Sequence, residues 1–207
     1  MSKATSSEQR NFEVQLLLWE LTHRMNNEFA AAIAVVSLAA AHSPNGEVKS
    51  ALAAVEARLH SYVKVNRCLQ LPSHDTIIDA SAYLRHLCQS ISRSRLDCRG
   101  IELQFAGRPL QMNSERCWRL GMIISELVTN AARHVFGDAG GKTHVKLSRC
   151  GPFINCRVAD DGTASEKIQP GRGFAIVEGL IASLHGTINQ YFGPGGSVSD
   201  MNVPVYS

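Results

Sequence analysis

The feature that most constrains this chain is a pair of helical apolar repeats separated by a single break. Val14, Leu18, Leu21, Met25, Ala32 and Val36 recur at three- and four-residue steps or their sum, as one apolar face of a helix does. Val48, Leu52, Val55, Leu59 and Tyr62 repeat that spacing. Between them, His42-Ser-Pro-Asn-Gly46 is a dense turn signal that no helix crosses. Residues 10–70 are therefore predicted to form two long helices folded back as an antiparallel hairpin. One hairpin has too little surface to bury both stripes, so a homodimeric four-helix bundle is expected.

Leu71-Pro-Ser-His-Asp75 reads as a link, dividing the chain into residues 1–72 and 73–207. Beyond it the pattern changes. A helix is expected near Ser81–Ser92, a strand at Ile101–Phe105 and a strong helix from Ser114 to Val135. His144–Arg149 and Phe153–Ala159 flank Gly151-Pro152 as a β-hairpin. A helix Phe174–His185 and two closing strands, Thr187–Tyr191 and Val198–Val203, follow. Helices mixed with largely antiparallel strands predict an α+β two-layer sandwich.

Composition narrows the class further. An apolar content of 44% with 19% charged residues is that of an ordinary globular protein, and a formal charge of +3 is too slight to imply nucleic acid. The cluster Arg93, Arg95 and Arg99 reads as a solvated helix end. Six cysteines (68, 88, 98, 117, 150 and 156) form no C-x-x-C pair and no zinc-finger spacing. With no signal peptide ahead of them, they are expected to be free, mostly buried thiols of a cytoplasmic protein. The longest apolar stretch, Phe29 to Ala41, is too short to span a bilayer.

Residues able to do chemistry gather at a few places. Glu20, His23, Arg24 and Asn27 share one face of the first helix, away from Leu18, Leu21 and Met25. His23 is thus expected to be accessible, with Glu20 able to orient it or take its proton. A polar helix face with an incidental histidine is the plainer reading. Ala30, Ala31 and Ala34 continue that side with small residues, allowing another domain to come close. In the strong helix, Glu126, Asn130 and Arg133 lie on one face. An acid, an amide oxygen and a cation in line suit a magnesium triphosphate, although a surface ion pair explains them equally well.

Val158-Ala-Asp160-Asp161-Gly162 sits where a strand enters a loop. A carboxylate there can accept from an exocyclic amine such as that of adenine, and glycine admits a flat ring to the backbone. Gly171-Arg-Gly173-Phe-Ala-Ile176-Val177 leads straight into a helix, whose free amides can bind phosphate. Gly141-Lys142-Thr143 resembles a P-loop end. However, the required first glycine is Phe136, and the segment leads into a strand, which excludes it.

Taken in order, these pieces resemble the sensor histidine kinases of two-component signalling, over roughly Glu20 to Pro204. Glu20-Leu-Thr-His23-Arg24-Met-Asn-Asn27 looks like the H-R-x-x-N phosphoacceptor box of one subclass. Glu126-x-x-x-Asn130-Ala-x-Arg133-His134 is similar to the N-box, and Asp160-x-Gly162 to the adenine-binding G1 box. Gly171-x-Gly173-Phe-x-Ile176-Val177 resembles the next glycine box, followed by the His185-Gly186 turn. Gly195-Gly196-Ser197 stands where the family often has Gly-Thr.

The resemblance implies a Bergerat-type ATP-binding domain with ATP and Mg2+ as cofactors. It implies His23 as phosphoacceptor, Asn130 as magnesium ligand, Glu126 as a positioning or deprotonating group and Arg133 as a phosphate contact. Asp160 reads the adenine amine, while Gly162, Gly171 and Gly173 line the nucleotide. The implied partners are a response-regulator receiver domain, a second copy of the chain and a separate sensor protein, since no sensor stands in this sequence.

The sequence departs from the family at several points. Asp161 replaces the usual Asn and Ala164 the second Gly of the G1 box, the segment from Gly162 to Gly171 is short, and Arg172 stands between the glycines. No Trp-x-Glu motif is present, so the HWE variant fits less well than its sister group. Two other functions remain open. One is a dimeric histidine phosphotransfer protein with a degenerate ATP-like domain. The other is a different Bergerat-type ATPase, such as an anti-sigma serine kinase, which leaves His23 unexplained.

Overall fold

The computed structural model describes residues 2–72, 75–134, 136, 140–162 and 172–205, with the side chains of the first helix described from Glu20 onward. The chain divides into two compact units, Met1–Asn66 and Arg67–Ser207.

The first unit is two helices, α1 (Ser2–His42) and α2 (Gly46–Cys68). At about 1.5 Å per residue, α1 extends for about 60 Å. The break between them is built by Asn45, whose Oδ1 accepts from the amides of Glu47 (2.8 Å) and Val48 (3.4 Å). That is side-chain capping of the orphan donors of a helix start. Among the described side chains of α1, Thr22, Asn26, Phe29, Ile33, Val36 and Ala40 are half-buried in a four-three alternation, with Ser37 half-buried beside them. Leu52, Glu56 and Leu59 continue such a seam on α2. The expected stripe is divided: Val36, Leu52 and Leu59 lie in this seam, whereas Leu21 (59% exposed), Met25 (47%), Val48 and Val55 are exposed, together with Val35 and Leu38 outside the expected stripe.

The second unit is the expected α+β sandwich. Its elements are β1 (Ile77–Asp79), α3 (Ala80–Ile91), β2 (Ile101–Gly107), β3 (Gln111–Asn113) and α4 (Ser114–His134). After these come β4 (Gly141–Cys150), β5 (Phe153–Asp160), α5 (Arg172–Ser183), β6 (Thr187–Gly193) and β7 (Gly196–Pro204). Five strands form one sheet in the order β2-β4-β5-β7-β6. Only the β2–β4 pair is parallel. Burial alternates along β5, where Ile154, Cys156, Val158 and Asp160 are buried, so one sheet face meets the core and the other meets water. Leu84, Leu87 and Ile91 of α3, Leu120, Ile123 and Ile124 of α4, and Val177 and Ile181 of α5 complete that core.

Three details escaped the sequence reading. β1 and β3 pair antiparallel as three-residue strands, too short to show a period. After α3 the chain tightens through a π-helical stretch, Ser92–Leu96, and a 3-10 turn, Asp97–Arg99, ending at Gly100 with φ 65°. This re-aims Arg95: Nη1 donates to Thr129 Oγ1 of α4 at 3.0 Å, which corrects the expectation of a wholly solvated arginine cluster. Finally, α5 stops two residues before its expected end. His185 takes φ 53°, and its amide donates to Ala182 O while the Gly186 amide donates to Ile181 O. That pair of bonds closes a helix C-terminus and cannot coexist with another helical turn.

Candidate functional site

On α1 the i, i+4 geometry places His23 and Asn27 one turn apart, both exposed. The Asn27 amide Nδ2 lies 3.2 Å from His23 Nδ1. Glu20 lies on the same face, its Oε1 3.6 Å from Arg24 Nε. The carboxylate expected to serve His23 thus has the neighbouring guanidinium as a partner, in a solvent-screened pair that contributes little to stability.

In the second unit, two groups of candidate residues are assembled by different elements. The first joins α4 to the start of α5. Glu126 and Asn130 are half-buried, and Gly173 packs on both: a Cβ there would fall 2.0 Å from Glu126 Oε1 and 3.2 Å from Asn130 Nδ2. Its bare backbone lets the helix start close over the acid and the amide, and a side chain there would have to push the Glu126 carboxylate aside. Arg133, one turn further along α4, is exposed. Gly171 lies outside the described residues, as does the segment 163–170.

The second group sits where β5 ends and β7 begins. Asp160 is 8% exposed. Its Oδ1 accepts from the amides of Ser197 (3.0 Å) and Gly162 (3.3 Å), and its Oδ2 accepts from Ser197 Oγ. An ionised carboxylate offers about four acceptor positions, and these described partners use three. The arrangement can accept one more donor. The backbone is equally close: a Cβ on Gly196, at φ 115°, would fall 1.9 Å from Asp160 O.

Asp161 has a different task. Its Oδ1 accepts from the Lys142 amide at 2.6 Å and its own amide donates to Lys142 O, tying the loop to the start of β4. A carboxylate oxygen does there what an amide oxygen could, so replacing the family's usual Asn costs this contact nothing. Ser197 is the residue the sequence reading quoted without assigning. Its hydroxyl after two glycines was the only signal, and its partner becomes visible only once β5 and β7 are paired.

Each group has chemistry that a nucleotide could use: a buried carboxylate with spare acceptor capacity at the end of β5, and a glycine at a helix start against an acid and an amide. Among the described residues no cluster of His, Cys, Asp and Glu could hold a metal ion without a ligand's help. No described helix is long and apolar enough to cross a membrane.

A two-helix unit exposing a histidine, followed by such a sandwich, is the architecture of a histidine kinase core. In the comparison with solved structures, the histidine kinase domain of the Erythrobacter litoralis EL346 blue-light activated histidine kinase matches with a TM-score of 0.60. The pair is 20% identical, with 94% of this chain and 96% of that chain covered. Full-length ShkA matches with a TM-score of 0.55 at 20% identity, over 91% of this chain and 45% of that one. Residues 20–95 match the family model HisKA_2, histidine kinase. By sequence, blue-light-activated histidine kinase 2 of Erythrobacter litoralis is 25% identical over 211 residues, covering 97% of this chain. The chain spans 60% of that relative's length. These matches bear out the resemblance read from the motifs: residues 20–95 are similar to the histidine kinase family model, and the chain as a whole is similar in sequence and fold to histidine kinases.

Proposed function

We propose that this chain is a kinase core that phosphorylates His23 from Mg-ATP and passes the phosphoryl group to an aspartate of a response-regulator receiver domain. The observation that carries this reading is the packing of Gly173 against Glu126 and Asn130 in a unit that also buries Asp160 beside Ser197. ShkA, one of the similar structures, is in complex with AMPPNP, an ATP analogue, which supports a nucleotide as the ligand.

In this reading Asp160 accepts the adenine amine, with Gly162, Gly171 and Gly173 lining the nucleotide. Asn130 offers its amide oxygen to magnesium, Glu126 positions or deprotonates, and Arg133 meets phosphate oxygens. Magnesium, when bound, neutralises phosphate charge and polarises the transferring group. His23 supplies the nucleophile, and a second copy of the chain covers the exposed stripe of the hairpin.

The test is incubation of the full chain with labelled ATP and magnesium. The parent should acquire acid-labile, base-stable label, and His23→Ala should lose all of it while folding and binding nucleotide as before. Label persisting in the variant would move the site to another histidine.

The second reading, a phosphotransfer protein without ATP use, draws on one observation: three of the four acceptor positions of Asp160 already serve the protein's own groups. Failure to bind ATP at millimolar concentration would favour it.

A further inference from the structure

We propose that the second unit carries a docking groove for an acidic, partly apolar peptide segment of a partner protein, at the end of the sheet away from Asp160.

The groove has a volume of about 1040 Å³ and lies among the β1–β3 pair, the turn from β2 to β3, the start of α4 and the second half of β4. Arg108, Arg116, Lys146 and Arg149 line it, and among the described residues no carboxylate does. Arg108, Lys146 and Arg149 are exposed. Backbone carbonyls brace two of these cations: Arg116 Nη2 donates to Pro204 O, and Arg149 Nε donates to Gly151 O at 3.2 Å. The turn carrying Arg108 is pinned as well, its carbonyl accepting from Ser81 Oγ while the Leu110 amide donates to Asp79. Two acids approach the rim and are engaged there. Asp75 accepts from Asn113, and Glu115 pairs with Arg119 at 2.5 Å. A cleft lined by one sign of charge focuses the field and draws the opposite sign. The chain as a whole carries only +3, so this concentration is local.

The apolar part of the lining selects the class of ligand. Ile77 is 66% exposed, and Leu110 and Val205 are half-buried in the same groove. An inorganic anion makes no use of them. An extended peptide can set its carboxylates on the guanidinium groups, which take such groups by two parallel bonds, and its alternate side chains on the apolar lining. A second copy of this chain does not supply the segment. Its only adjacent acids are Asp160 and Asp161, which serve Ser197 and Lys142. From Lys142 to Arg149 along β4 is about 20 Å, at about 3.3 Å per residue, so the groove stands apart from the Asp160 site.

The experiment titrates the full chain into a fluorescein-labelled Glu-Leu-Glu-Leu-Glu-Leu peptide at low salt and reads fluorescence anisotropy. Arg108→Gln with Lys146→Gln removes two exposed cations and leaves the braced pair, so the fold should be kept, as the melting temperature checks. Lys64→Gln with Arg67→Gln, exposed on α2 and outside the groove, is the charge-matched control. The parent should bind, more weakly as salt rises. The groove variant should bind about tenfold more weakly or worse, the loss of at least one charge-assisted hydrogen bond, while the control binds as the parent does. Unlabelled peptide with Gln for Glu should not compete.

No binding by the parent at millimolar peptide overturns the proposal, as does equal weakening in the charge-matched control. Displacement by tripolyphosphate, or by the peptide with Ser for Leu, as effective as by the parent peptide would make the groove a simple anion site and overturn the peptide assignment. Capture of the parent by phosphatidylglycerol vesicles but not by the peptide would overturn it in favour of a membrane surface.

Discussion

At the scale of single residues, the candidate site depends on a few close contacts, which differ in how much substitution they tolerate. Asp160 is the clearest, since its carboxylate serves both the fold, through Ser197 and Gly162, and the proposed adenine contact. Asp160→Asn should weaken ATP binding about tenfold to hundredfold, the worth of one charge-assisted hydrogen bond of about 1.5–3 kcal/mol. Titration calorimetry on parent and variant checks this, and equal affinities would remove Asp160 from the adenine contact. Gly173 and Gly196 differ in an instructive way. A side chain at 173 meets the mobile end of Glu126, which can swing aside, whereas one at 196 meets backbone, which cannot. The motif pieces around Asp160, Asn130 and Gly173 were readable because their residue types and order are distinctive. The bonds of Ser197 and Asp161 were not, because each joins residues far apart in the chain, and only strand pairing reveals which two meet.

At the scale of elements, helix ends hold most of what can be tested. Asp79 caps α3: its Oδ1 accepts from Ser81 at 2.9 Å and Ala82 at 3.3 Å, and from the Leu110 amide at 3.2 Å across the β1–β3 pair. Above all the Leu110 amide, and then the two α3 amides, hold its carboxyl below the usual carboxylate range. A folded pKa below the unfolded one gives stability that is complete above about 3.9 and lost as pH falls through the folded value. Asp79→Ala should therefore cost about 1–2 kcal/mol at neutral pH, and urea titrations should show that difference shrinking below about pH 4. His185 presents the opposite case, a non-glycine residue at φ 53° that closes α5. The left-handed conformation costs about 1–2 kcal/mol for a residue with a Cβ. His185→Gly should recover about 1 kcal/mol, seen as a higher urea midpoint, because the loss of unfolded-state restriction takes back part of the gain. Element types were legible from periodicity, while their ends were set by caps. Asp79 and Asn45 were overlooked because a lone Asp or Asn announces a cap only when the first helical turn is already known.

At the scale of the whole molecule, the exposed stripe on the hairpin decides the assembly. Leu52 and Leu59 are half-buried along the seam, so charging them would unfold α2, whereas Leu38 and Val55 point outward. Leu38→Asp with Val55→Asp should give a folded monomer if a second copy covers the stripe, with light scattering reading the mass; a parent already monomeric across micromolar concentrations would sink the dimer. The strand order carries a consequence of another kind. β7 follows both β5 and β6 in the chain yet lies between them in the sheet. While the protein is being synthesised, β5 must wait about forty residues for its second neighbour, about two to eight seconds at ribosomal rates of about 5–20 residues per second. Through that interval a strand rich in Ile154, Cys156 and Val158 has an open edge, a target for chaperones and for other nascent chains. Ser197 arrives on the same late strand, so Asp160 gains its partner only in the final act of folding, and no half-made chain can hold the finished site.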